Sequence, residues 1–66
     1  MKVLINQEEV VLFRGASLKH ALLKKNQGLY NLVLTGEATI FDQYGNEVEM
    51  NGAAEEGMAY TVQQIK

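Results

Sequence analysis

The chain contains no cysteine, no proline, no tryptophan and a single histidine, His20. Without cysteine it can form no disulfide, and one imidazole does not supply the ligand set of a structural zinc site. Small domains often depend on such cross-links, because at this length folding buries only about 60% of the surface of the unfolded chain. The fold must therefore rest on packing of the hydrophobic residues, which make up 47% of the sequence.

The charge and hydropathy of the sequence argue against binding to nucleic acid and against insertion into membranes. The formal net charge is −2, which is unfavourable for binding duplex nucleic acid, because phosphate neutralisation needs clustered lysine and arginine. No apolar run approaches the roughly 18 residues of a membrane span. The first 13 residues are interrupted by polar side chains, unlike a signal peptide. We therefore expect a cytoplasmic protein that binds neither nucleic acid nor membranes and carries no cofactor.

The charges are unevenly distributed along the sequence. Residues 1–33 carry five cations and two acidic residues, a net charge of +3, whereas residues 34–66 carry one cation and six acidic residues, a net charge of −5. If the two halves occupy different sides of the molecule, a basic side and an acidic side would orient a partner. The alternative is a solvated surface with an incidental dipole.

The N-terminal half predicts a hairpin followed by a helix. Two short apolar runs, residues 3–5 and 10–13, flank a polar turn at Asn6, which is typical of a β-hairpin. Ser17 is suited to cap a helix, and leucine and alanine follow at helical spacing. The pattern predicts a helix over residues 17–26, with Gly28 as its terminator.

The C-terminal half predicts further strands. Residues 42–46 are a strong turn cluster, because glycine and asparagine tolerate positive φ. Residues 58–63 alternate apolar and polar side chains, which indicates a half-buried strand. The segments predicted as strands in this half are 29–34, 38–41, 47–50 and 58–63.

This order of elements predicts an α+β fold of the β-grasp type, with residues 1–66 as a single domain. We expect a mixed sheet of four to six strands with one helix packed on one face. The last strand should lie beside the first in parallel, at the centre of the sheet. The predicted core residues are Val3, Ile5, Val11, Phe13, Leu18, Leu22, Leu32, Leu34, Ile40, Val48, Tyr60 and Val62.

Four segments resemble the small sulfur-carrier proteins of thiamin and molybdopterin synthesis, which are ubiquitin-like β-grasp domains. Residues 2–10 resemble their opening hairpin, and Gly15-Ala16-Ser17-Leu18 looks like their helix entry. Residues 32–37 resemble their Val-Ala-Val-Asn-Gly-Glu hairpin, and residues 54–60 are similar to the entry to their last strand. The resemblance covers most of the chain and implies the β-grasp fold.

The resemblance does not transfer the carrier chemistry. Sulfur carriers end in a flexible Gly-Gly tail, whose terminal carboxylate is adenylated and then converted to a thiocarboxylate. This sequence ends in residues 62–66 without a glycine, so no carrier residue is matched. Sulfur carriage is therefore the alternative function and is disfavoured.

No catalytic, cofactor-binding or metal-binding constellation is recognisable. His20 has no second histidine or cysteine to complete a metal site and no nucleophile in a familiar motif. Glu47 and Glu49 share one face of a strand, but paired carboxylates act in glycoside hydrolysis only within a cleft. We therefore predict a protein without enzymatic activity.

An apolar surplus points instead to a binding surface. If Val3, Ile5 and Val11 face the helix, their neighbours along the hairpin face the other side of the sheet, which a single helix leaves open. An exposed apolar patch is the usual mark of a protein partner or of self-association. The alternatives are that loops cover this face, or that the face assignment is shifted by one residue. The predicted partner-binding residues are Leu4, Val10, Leu12, Val33 and Phe41.

Overall fold

A computed structural model describes residues 1–65 of the chain. Over these residues the chain forms a five-stranded mixed sheet and two helices, in agreement with the predicted α+β class but with one helix more than expected. Lys66, the last of the residues compared with the Gly-Gly tail of the sulfur carriers, lies outside the described residues. The elements are β1 (Lys2–Ile5), β2 (Glu8–Val11), α1 (Leu18–Lys25), α2 (Gln27–Leu34), β3 (Ala38–Asp42), β4 (Glu47–Val48) and β5 (Ala59–Gln64).

The strand order is β2-β1-β5-β3-β4, which places the first and last strands side by side. β5 pairs with β1 in parallel, as predicted, and its other neighbour is β3, with which it pairs antiparallel. Asn6 extends the parallel pairing beyond β1, because its N–H donates to the Tyr60 carbonyl at 3.0 Å and its Oδ1 accepts from the Val62 N–H at 2.8 Å. A side-chain amide thus replaces one backbone group of the ladder.

The hairpin turn fixes which residues of β2 face the core. Asn6 and Gln7 both have positive φ, 50° and 71°, the backbone of the tight two-residue hairpin turn. Ile5 therefore pairs with Glu8, and Val3 pairs with Val10. Directly paired residues lie on one face of a sheet, so the buried Val3 places Val10 in the core.

This register corrects the predicted faces of the hairpin. Val10 and Leu12 are each 5% exposed, whereas Val11 is 52% exposed. The placement of Val10 and Leu12 on the open face is wrong, and so is the placement of Val11 and Phe13 in the core. The cause is a shift of one residue, which moves every side chain of a strand to the other face.

Helix α1 begins as predicted, with a histidine completing its cap. The N–H of Ser17 donates to Nδ1 of His20 at 3.1 Å, and the Ser17 hydroxyl oxygen lies 3.0 Å from the same nitrogen. In many helices a glutamate or glutamine at this position makes the return bond to the capping residue. His20 is exposed and forms part of the start of the helix.

The segment predicted as a strand over residues 29–34 is helix α2, so that prediction is wrong. The N–H of Asn26 donates the last bond of α1, to the Leu22 carbonyl at 2.8 Å, and α1 ends there because the Asn26 backbone is extended. Its Oδ1 also accepts from the Gly28 N–H at 2.7 Å, which caps the start of α2. Gly28 therefore lies in the first turn of a second helix instead of terminating the first.

The core lies between the two helices and one face of the sheet. Leu22 of α1 and Ile40 of β3 are fully buried, and Leu29, Tyr30 and Val33 of α2 pack against the same cluster. Leu34 is exposed at the end of α2, so its predicted core position is wrong. The residues of the cluster are Val3, Ile5, Val10, Leu12, Ala16, Leu18, Ala21, Leu22, Ile40, Ala54 and Tyr60. Both helices thus cover one face and leave the other open.

The turn between β3 and β4 forms where the sequence predicts it. Oδ1 of Asp42 accepts from the N–H groups of Tyr44 and Asn46, both at 2.9 Å. Gly45 has a φ of 84°, a conformation that favours glycine. β4 then comprises only two residues, fewer than the four predicted, because the chain turns away again after Glu49, whose carbonyl accepts from the Gly52 N–H.

Replacing Asn6 by glycine should weaken the central strand pairing. Glycine keeps the positive φ but leaves the Val62 N–H without its side-chain acceptor, so we expect a loss of about 1 kcal/mol in the free energy of unfolding. Asn6→Asp keeps an acceptor at the same position and should lose less than half as much. Urea denaturation of the three proteins measures the difference, and an N6G protein as stable as the wild type would contradict the assignment.

Candidate interaction surface

The open face of the sheet carries a contiguous apolar patch at its centre. Leu4 of β1 is paired with Ala59 of β5, and Phe41 of β3 lies diagonally across from Ala59, opposite Thr61. These side chains alternate along each strand with the buried residues of the core, which places them on the uncovered face. Leu4 is exposed, and Ala59 and Phe41 are half-buried. We refer to Leu4, Phe41 and Ala59 as the central patch.

A hollow of about 260 Å³ lies beside Leu4. It is lined by Lys2, Val3, Leu4, Glu9 and Gly57. Gly57 keeps the hollow open, because its φ of 78° suits glycine and no side chain fills the space next to its Cα. Its N–H donates to the Lys2 carbonyl at 2.7 Å, so the backbone around the hollow is held against β1. The hollow can therefore receive an apolar side chain from outside.

Polar groups surround the central patch. The ammonium of Lys2 lies 3.7 Å from a carboxylate oxygen of Glu9, and the hydroxyl of Thr39 donates to Glu47 at 2.8 Å. Both charged side chains of the first pair are mostly exposed, and such a pair contributes little to stability. An apolar centre with a solvated polar rim is the usual arrangement of a protein-interaction surface.

The structure brings together only two of the five predicted partner-binding residues. Leu4 and Phe41 lie on the open face, whereas Val10 and Leu12 are in the core for the reason of register given above. Val33 lies on α2 and packs against the core from the helix side. Whether Leu4 and Phe41 bind a partner stays a prediction.

Three residues of the open surface were missed from the sequence. Val11, and not Val10, lies on this face, and a two-residue turn at Asn6-Gln7 would have predicted this register. Ala59 and Gly57 gave no signal, because their importance depends on the parallel neighbour β1, which lies more than 50 residues away in the sequence.

The titratable groups do not converge on one site in the described part of the chain. Over residues 1–65, no three histidine, aspartate or glutamate side chains lie close enough together to hold a metal ion. His20 is engaged with Ser17, and its ring lies edge-on to Phe13 with the ring centres 5.1 Å apart. Neither helix within these residues is long and apolar enough to cross a membrane.

Comparison with protein families, with curated proteins and with solved structures finds no match for this chain.

Proposed function

We propose that this chain is a ubiquitin-like β-grasp domain that acts as a protein-interaction module and catalyses no reaction. The strand order β2-β1-β5-β3-β4, with a parallel pair at the centre and the helices on one face, supports the fold assignment. The observation that carries the functional proposal is the uncovered central patch with its adjoining hollow. The partner is another protein or a second copy of this chain.

The mode of binding follows from the shape and charge of this face. An apolar side chain of the partner enters the hollow beside Leu4, where it loses contact with water. Lys2 and Glu9 present opposite charges at the rim, so the partner must offer polar groups to both. Binding energy in such interfaces is concentrated on a few central residues. We therefore expect Leu4 to dominate the affinity.

The test compares two leucines of similar exposure on opposite sides of the molecule. Leu4 is 37% exposed on the open face, and Leu23 is 40% exposed on α1. Leu4→Lys places an ammonium opposite Glu9 in the hairpin, so the variant should fold. Partners captured by the immobilised wild-type chain should be reduced at least about tenfold by L4K and little by L23K, because truncating an interface hot spot costs about 2 kcal/mol or more.

Quantitative mass spectrometry of the captured proteins provides the measurement, and circular dichroism confirms that each variant is folded. Phe41→Ser should reduce the same set of proteins as L4K. Equal capture by L4K, L23K and the wild-type chain would refute the proposal.

A further inference from the structure

A second apolar feature lies away from the central patch, at the junction of β2 and α1. Phe13 is 61% exposed, although its ring is held edge-on against His20. An exposed phenylalanine fixed by a neighbour is a candidate anchor for an interface. Two exposed cations accompany it: Arg14 follows directly in sequence, and Lys24 lies one helical turn beyond His20 on α1. We refer to Phe13 with these cations as the basic knob.

A groove of about 460 Å³ lies at the other edge of the sheet. It opens because β4 ends after Val48, so that the following residues leave β3 and turn back toward α1, where the Met50 carbonyl accepts from the Lys19 N–H. Its lining includes apolar side chains and two exposed carboxylates: Val33, Val48, Met50, Ile65, Glu47 and Glu49. We refer to it as the acidic groove.

The basic knob and the acidic groove carry opposite charges, and the groove has room for an aromatic side chain. Phe13 follows the outer strand β2, the groove adjoins the outer strand β4, and Phe13 is not among the residues that line the groove of its own molecule. The charge asymmetry of the sequence is consistent with this contact. β2 carries Glu8 and Glu9, which pair with Lys25 and Lys2, while Arg14 and Lys24 remain exposed and the C-terminal half supplies Glu47 and Glu49. A second copy of the chain carries the complement of each feature.

We propose that copies of this chain associate head to tail, with Phe13 of one copy seated in the acidic groove of the next. The volume of the groove is large enough for a phenylalanine side chain, and Glu47 and Glu49 face the cations that surround it. Because the two contact surfaces differ, the contact is heterologous and each added copy offers a new free groove. The association uses neither Leu4 nor Phe41, but Glu47 belongs both to the groove and to the rim of the central patch, so the Leu4 variant is what separates this contact from the proposed function.

Sedimentation velocity of the whole chain at increasing concentration tests this association. In low salt the average mass should rise beyond that of a dimer as concentration increases, and it should fall in high salt, because exposed charges are screened over about 8 Å at physiological ionic strength. L4K should associate like the wild type. A chain that stays monomeric at every concentration in low salt would overturn the proposal.

Complementation distinguishes this contact from any face-to-face dimer. Phe13→Ser removes the knob and keeps the groove, whereas the double variant Glu47→Lys and Glu49→Lys does the opposite. Each variant alone should be monomeric, and an equimolar mixture should form a dimer and nothing larger, because it contains one intact pair of surfaces. Glu49→Lys alone serves if the double variant does not fold. Association that survives F13S but is abolished by L4K would overturn the head-to-tail contact and support the open sheet face instead.

Discussion

Replacing Val10 by aspartate should unfold the protein, whereas the same replacement at Val11 should leave it folded. Val10 is buried opposite Val3 in the core of the hairpin. A carboxylate at this position would lose its hydration without gaining a cation, at a cost of several kcal/mol. A domain of this size is stabilised by only about 5 kcal/mol in total, so little of the folded state would remain.

Val11 differs because its side chain is mostly in solvent and pairs across the strands with Lys2. An aspartate there stays hydrated next to an ammonium group. The remaining cost is the poorer strand preference of aspartate, which amounts to at most about 1 kcal/mol. Two adjacent valines with opposite responses would establish the register of β2 directly.

Threonine substitutions keep this comparison measurable if V10D does not fold at all. Val10→Thr buries a hydroxyl and should lower the free energy of unfolding by about 1–3 kcal/mol, whereas Val11→Thr should change it by less than about 0.5 kcal/mol. Circular dichroism detects folding of the aspartate variants, and urea denaturation gives the free energies of the threonine variants. A larger loss at Val11 than at Val10 would mean that the strand faces the other way.

The same pair of valines shows how far the sequence could predict which residues lie on the open face of the sheet. Both apolar runs of the hairpin were recognisable, but the face of each valine depends on whether the turn contains two or three residues. Asn6-Gln7 lacks the glycine that marks the commonest two-residue turn. Leu4 and Phe41 were placed on the open face correctly, because Leu4 lies between the buried Val3 and Ile5, and Phe41 directly follows the buried Ile40.

The second helix shows where sequence patterns become ambiguous. Residues 29–34 contain five apolar side chains in six, which satisfies the spacing of a helix as well as that of a strand. The structure is decided by Asn26, which serves both helices: its N–H closes α1, and its side chain caps α2. The sequence predicts that Gly28 terminates α1. In the structure, its N–H is instead the group that the Asn26 side chain caps.

The hollow and the groove could not be predicted, because their walls come from segments distant in sequence. The hollow joins β1 and β2 to Gly57, and the groove joins α2, β4 and Ile65. Each depends on a chain that leaves the sheet at a particular residue. The periodicity of a sequence indicates which face of a strand a side chain occupies, but it does not indicate where the chain leaves the sheet.

Replacing Leu22 by alanine should remove most of the stability of the fold, whereas Leu23→Ala should change it by less than about 0.5 kcal/mol. Leu22 is fully buried in the core, and the neighbouring Leu23 on the same helix is exposed. Truncation of a buried leucine costs about 2–5 kcal/mol, through lost transfer energy and the cavity that remains. Without cysteine, the chain can form no disulfide to offset that loss.

The pair separates packing from helix propensity, because both substitutions introduce the same residue into α1 and alanine is the best helix former. Leu22→Met provides a further control, since it nearly conserves volume and should cost less than about 1.5 kcal/mol. Urea denaturation monitored by circular dichroism gives the free energies, and similar denaturant slopes for the three variants would show that the unfolded states are comparable. If L22A and L23A lost equal stability, α1 would not pack through Leu22, and both helices would have to be placed differently on the sheet.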